Sequence, residues 1–115
     1  MMENLVIVSF PAKPEMLETL KDAMKNALPE TRAYDGCISV DAYIDESTNT
    51  IHLIEDWETL DHQAKYLNWR VETGLLDDLD SMLAGGASSI NIALCGAKES
   101  DICCLLYTSP SPRDS

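Results

Sequence analysis

Apolar positions along the chain change their period several times, and each change marks an element. Leu5-Val-Ile-Val-Ser-Phe10 is a short, apolar, β-branched run, which reads as a buried strand. Pro11 and Pro14 close it, and Pro14 suits the first turn of a helix, where its missing N–H has no role. Leu17, Leu20, Met24 and Leu28 then recur at helical spacing beside Ala23 and Ala27, the stripe of an amphipathic helix. Pro29 is expected to end or kink that helix, leaving one more turn over residues 30–33. Asp35-Gly36 is a turn signal.

The period then drops to two. Over Cys37–Asp45, Ile38, Val40, Ala42 and Ile44 share one face, and Ser39, Asp41 and Tyr43 the other, so this is a half-buried strand. Glu46-Ser-Thr-Asn-Thr50 makes a hairpin loop. Ile51–Trp57 returns, split into Leu53, Glu55, Trp57 and His52, Ile54, Asp56. Thr59 is a candidate N-cap, with Asp61 near the positive end of the next helix. A helical wheel puts Leu60, Ala64, Leu67 and Val71 on one side, with His62, Tyr66, Trp69 and Thr73 opposite. Gly74 breaks this helix. Leu75, Leu76, Leu79, Met82 and Leu83 continue at helical spacing to Gly85-Gly86, and Ser89–Leu94 reads as a last strand.

This order, β-α-β-β-α-α-β, is the split βαβ arrangement called ferredoxin-like, an α+β fold with a four-stranded antiparallel sheet and helices on one face. The other face would carry Ser39, Asp41 and Tyr43 with residues such as His52 or Trp57. A face so mixed in polar and aromatic groups is expected to close against a second copy, making a dimeric α+β barrel around a cavity; the competing reading is a monomer with a solvated face.

Composition narrows the function classes. The chain has 115 residues, 45% of them hydrophobic, and 20 acidic against 8 basic side chains give a net charge of −12. Such an acidic balance argues against nucleic acid and against an anionic membrane surface as partner. The apolar runs are far too short to span a bilayer. Glu3 and Asn4 stand where a secretory leader would need a basic region, so a cytoplasmic location is expected.

Past Gly96 the character changes. Residues 1–96 read as one domain, 97–103 as a linker whose origin is open, and 104–115 as foreign. Cys104 through Asp114 matches, at every position, one reading frame of what resembles the end of a transposase-based sequencing-library adapter. Removing that segment takes away one acid and one base, Asp114 and Arg113, so the charge argument stands. The Cys103-Cys104 pair is accordingly not read as a metal or redox site. Cys37 and Cys95 fall on the second and fourth strands, opposite edges in this fold, and read as reduced thiols. No His/Cys spacing suits zinc and no Gly-rich loop suits a phosphate.

Three segments carry a resemblance: Ala12-Lys13-Pro14, Thr31-Arg32-Ala-Tyr-Asp35-Gly36-Cys37, and Glu55-Asp56-Trp57-Glu58-Thr59 followed by His62-Gln-Ala-Lys-Tyr-Leu67. In this order they resemble the antibiotic biosynthesis monooxygenase domain, from about Asn4 to Ala93. The resemblance implies a homodimer and a cofactor-free oxygenase, with O2 as co-substrate and a quinol-like or polyphenolic molecule as substrate. An electron-rich phenolate can itself reduce O2 if the protein binds it, deprotonates it and excludes water. A non-catalytic small-ligand-binding or stress-associated dimer of the same fold is the alternative, and an isomerase-like or decarboxylating relative a third. Many members carry His where this chain has Tyr66. Haem-degrading members carry an Asn on the first strand, which Leu5–Phe10 lacks, a Trp at the position of Tyr66, and a ligand His at that of Leu76, so that activity is disfavoured.

The candidate catalytic residues are His62, His52 and Tyr43. His62 is a general base or a surface histidine; His52 lines a cavity or an interface; Tyr43 and Tyr66 bind a phenol or supply apolar area. The candidate substrate-binding residues are Trp57, Tyr66, Trp69, Arg70 and Asp41. Trp57 reads first as core or cavity wall, Trp69 with Arg70 as an aromatic clamp or a cation–π contact, and Asp41 with Glu55 as paired carboxylates or sheet-edge acceptors.

Overall fold

A computed structural model describes residues 4–97 of the chain. The foreign-looking segment 104–115 and most of the linker lie outside the described residues. Strand β1 (Asn4–Pro11) is followed by a 3₁₀ turn at Pro14–Met16, helix α1 (Leu17–Ala33), strands β2 (Cys37–Asp45) and β3 (Thr50–Trp57), helices α2 (Leu60–Glu72) and α3 (Leu75–Asp80), and strand β4 (Asn91–Ala97). The strands form one antiparallel sheet in the order β2-β3-β1-β4. This is the ferredoxin-like α+β fold that the sequence predicts, and Cys37 and Cys95 do stand on its two opposite edge strands. Among the described residues, no helix is long and apolar enough to cross a membrane.

Register assigns every strand residue to a face. Val6 pairs with Glu55, Val8 with Leu53 and Phe10 with Ile51, while Val40 pairs with Glu55 across the other side of β3. These residues point toward the helices and are buried with Leu20, Met24 and Leu28 of α1 and Leu79 of α3. The opposite face presents Ile7 and Ser9, Asp41 and Tyr43, and His52, Ile54 and Asp56, and among the described residues no element lies over it. Trp57 is not among them. It belongs to the same phase of β3 as Leu53 and Glu55, and it is fully buried on the helix side. The period-two pattern had already split β3 that way, and only the assignment to the uncovered face is corrected.

Three local expectations also change. Helix α1 does not end at Pro29 but continues through it, and the expected further turn over residues 30–33 is part of the same helix. Proline removes its own N–H bond to the carbonyl four residues back, that of Lys25, and both residues lie on the exposed side, where water can satisfy that carbonyl. Helix α3 stops at Asp80 instead of reaching Leu83. The chain there is stitched to the end of β1 by Lys13 N–H to Met82 O (2.9 Å) and Ala84 N–H to Pro11 O (2.8 Å). The last strand begins later than expected, after a 3₁₀ turn at Ala87–Ser89.

A fourth change matters most for function. Helix α2 does not bury Ala64 and Val71; Val71 is 54% exposed and Ala64 is also exposed. Its fully buried residues are Gln63 and Arg70. The helix is capped by Thr59, whose hydroxyl accepts from the His62 N–H at 3.1 Å, and ends at Gly74 in the left-handed region. Its capping is therefore ordinary, and what departs from the amphipathic rule is the choice of face.

The turn before β2 depends on Gly36, whose φ is +88° and whose missing side chain makes room for the His62 ring. Replacing Gly36 with Ala should destabilise the fold by about 2–4 kcal/mol, combining left-handed strain with a clash against His62. Urea unfolding measures this directly, and a change below 0.5 kcal/mol, roughly the level of a neutral surface substitution, would contradict it.

Candidate functional site

Between the helix layer and the sheet lies a cavity of about 200 Å³. Its walls are apolar over most of their extent, with Val8, Phe10 and Leu53 from the sheet, Met24 and Leu28 from α1, and Leu67, Leu75 and Leu79 from α2 and α3. The polar residues that line it are Thr31, Glu55, Gln63, Tyr66 and Arg70. An apolar chamber with a few placed polar groups is the usual form of a small-molecule site.

Arg70 organises the polar groups. It is 5% exposed, so its guanidinium must find partners inside the protein. Nε donates to the Tyr66 hydroxyl at 2.7 Å, Nη1 to Glu30 Oε1 at 3.1 Å, and Nη2 to the Ala27 carbonyl at 2.8 Å and to Thr31 Oγ1 at 3.2 Å. Because Tyr66 Oη accepts from Arg70, its own proton is free to go to Thr31 Oγ1, 2.6 Å away. Thr31 in turn reaches the Ala27 carbonyl at 3.4 Å. The guanidinium also lies 4.6 Å from the Trp69 ring centre and 5.3 Å from that of Tyr66. Residues Tyr34, Trp57, Tyr66 and Trp69 complete an aromatic cluster whose neighbouring ring centres are 5.2–6.5 Å apart.

Glu55 is the acid in this cavity. Its Oε1 accepts from Trp57 Nε1 at 2.9 Å, two residues along the same face of β3. Burial pushes its carboxyl above the ordinary range, and the Trp57 hydrogen bond offsets only part of that. On β2 beside it, burial and the Glu55 charge push the Cys37 thiol up to about 11, so this cysteine is not a thiolate at neutral pH.

The structure distributes the sequence candidates over three places. Tyr66, Arg70, Trp69 and Trp57 come together on the helix side, the first two lining the cavity and the other two packed behind them. Tyr43, His52 and Asp41 are on the uncovered face of the sheet. There Tyr43 stands opposite His52, and His52 Nδ1 is 2.8 Å from Ser9 Oγ. His62 is at neither: its Nδ1 meets Thr59 Oγ1 at 2.7 Å and its Nε2 lies 3.6 Å from Asp35, at the start of α2. Asp41 and Glu55 do not converge, because they occupy opposite faces.

Sequence reasoning missed Gln63 and Thr31. Gln63, Tyr66 and Arg70 sit at i, i+3 and i+7, the spacing of one helix stripe, and that spacing is the signal available. It was hidden because the apolar residues of α2 drew the wheel toward Ala64 and Val71.

The family model described as antibiotic biosynthesis monooxygenase matches residues 5–70. The chain belongs to the antibiotic biosynthesis monooxygenase family. That match runs from β1 to Arg70, so it contains every one of the polar cavity residues. Among solved structures, a protein of unknown function from Nitrosomonas europaea is 21% identical with a TM-score of 0.71, over 86% of this chain and 92% of that one. A conserved protein from Methanosarcina mazei gives 18% and 0.72, over 85% and 95%. A candidate antibiotic biosynthesis monooxygenase from Deinococcus radiodurans gives 20% and 0.71, over 84% and 93%. These likenesses establish the fold. A search among curated proteins finds no match.

Glu55 holds its proton more tightly in the folded chain than in the unfolded one. Its contribution to stability is therefore greatest below the ordinary carboxyl value of 4.5 and is lost as pH rises through its own raised value. The Glu55→Gln variant, which keeps an acceptor for Trp57, should gain stability relative to the natural protein as pH rises above the ordinary carboxyl value, until the folded carboxyl has itself ionised. Parallel denaturation at several pH values checks this; a constant difference would contradict it.

Proposed function

We propose that this chain is a monooxygenase that needs no cofactor and oxidises a quinol-like or polyphenolic small molecule with O2, as a homodimer. The observation that carries this reading is the apolar cavity with a carboxyl and a tyrosine–arginine pair among its walls, in a family named for this chemistry. The apolar walls take a flat ring system and exclude water. When ionised, the Glu55 carboxylate takes the phenolic or carbon acid proton. Tyr66, fixed by Arg70, turns its proton from Thr31 to the ring oxygen and orients it as negative charge moves through it.

The electron-rich anion passes an electron to O2, and the two radicals combine at a ring carbon. Loss of water from that peroxide completes the reaction. Overall, a CH2 group of an anthrone-like substrate becomes C=O, and the second oxygen atom leaves as water with both hydrogens.

The uncovered sheet face supplies the dimer surface. Tyr43 is 60% exposed there, beside Ile54 and Ile7, and pairing two such faces buries all three. His52 and Tyr43 then serve the interface, and His62 holds the turn before α2. One observation favours the second reading, a ligand-binding dimer without turnover: neither histidine lines the cavity, so no imidazole is at hand as base.

Oxygen uptake with a panel of quinols and anthrones decides between them. Turnover is expected. Tyr66→Phe should lower kcat/KM by roughly tenfold to a hundredfold, and Glu55→Gln should abolish turnover while ligand still binds. Folded protein, dimeric by light scattering, that binds these compounds and consumes no O2 would overturn the oxygenase reading in favour of binding alone.

A further inference from the structure

Two side chains of the cavity are buried beyond nine-tenths and left with hydrogen-bonding capacity that the protein does not use. Gln63 is 4% exposed, lines the cavity, and among the described residues its side-chain amide has no hydrogen-bond partner. Glu55 is 2% exposed; one of its oxygens accepts from Trp57 Nε1, and the other has no partner among the described residues. Buried polar groups are almost always paired, and an unpaired one calls for an explanation. The neighbouring polar groups need none, since Arg70, Tyr66 and Thr31 satisfy one another and the Ala27 carbonyl. Apart from one Nη1 N–H of Arg70, the unused capacity among the described residues of the chamber is thus one amide and one carboxyl oxygen, both facing it.

We infer that Gln63 and Glu55 set the specificity of the cavity by requiring an uncharged ligand with a carbonyl and a hydroxyl on its polar edge. The inference rests on reading the cavity as the substrate site and adds which feature of the substrate that site selects. A Gln amide offers N–H donors to a carbonyl oxygen, and a carboxyl oxygen accepts from a hydroxyl. A ligand with both groups occupies the chamber without stranding either side chain. One with neither group strands both. Charge is selected against. The one cation at the site, Arg70, is already answered by Glu30, the Ala27 carbonyl and Thr31, so an anionic ligand would gain little from it and would meet Glu55.

Three uncharged probes on one skeleton test this by calorimetric titration. In 7-hydroxy-1-tetralone a carbonyl and a hydroxyl share one edge, 1-tetralone has the carbonyl alone, and tetralin has neither. The natural protein should bind them in that order of affinity, with about tenfold lost at each step. Gln63→Leu should erase the gap between 1-tetralone and tetralin while binding tetralin at least as tightly as the natural protein, which also shows the cavity to be intact. Glu55→Gln should keep the order, because its amide still offers a donor and an acceptor. A Gln63→Leu variant that retains the natural order and spacing would overturn the inference and leave the site in place. If none of the three probes binds the natural protein, the reading of the cavity as a ligand site fails, and the inference fails with it.

Discussion

A guanidinium that cannot reach water is the constraint on which the rest of this structure depends. Arg70 is anchored to α1 through the Ala27 carbonyl, Thr31 and Glu30, and to its own helix through Tyr66 and the Trp69 ring. Breaking such a buried set leaves an uncompensated charge, a cost of about 3–5 kcal/mol, so the two helices are held in one relative position. That position fixes the distance between the helix layer and the sheet, and hence the cavity. It also places Tyr66 Oη at the cavity wall, 2.6 Å from Thr31 Oγ1. Arg70 lies in the last turn of α2, where the helix dipole favours a cation.

Seen from this anchor, the unusual face of α2 has a physical reason. A helix that packs by hydrophobic burial alone would turn Leu60, Ala64, Leu67 and Val71 inward. Here the hydrogen bonds and cation–π contacts of Tyr66 and Arg70, on one stripe with Gln63, outweigh the apolar area of Ala64 and Val71, both small. Tyr66 and Trp69 still contribute large apolar surfaces to the aromatic cluster around Tyr34 and Trp57. The core proper sits lower, between α1 and the sheet, where Leu20, Met24 and Leu28 meet Val6, Val8 and Ile51.

How much was legible in the sequence follows from these two kinds of packing. The alternation in β2 and β3, the run of β1, the Thr59 cap and the turns at Gly36 and Gly74 are local signals, and each leads to the observed element. The buried side of β3 was legible too, since Glu55 and Trp57 share a phase with Leu53. What a single sequence does not show is a polar stripe turned inward, because periodicity methods score polar residues as outward. Gln63 and Thr31 are hard to see for that reason, and the register that puts Asp41 and Glu55 on opposite faces is a long-range pairing that no local pattern carries. Pro29 misled in a similar way: a proline ends a helix only when the lost hydrogen bond cannot be made up by water.

On the function proposed above, small aromatic ligands enter between the helices and the sheet, and the opposite sheet face joins two chains. A structure of the protein with bound 7-hydroxy-1-tetralone tests this most directly. Ring density is expected among Phe10, Leu53, Leu67 and Leu79, with the polar edge at Gln63 and Glu55 and the Tyr43–His52 face buried against a second chain. A ligand seated on the Tyr43–His52 face, with the cavity beneath α2 filled only by water, would contradict it.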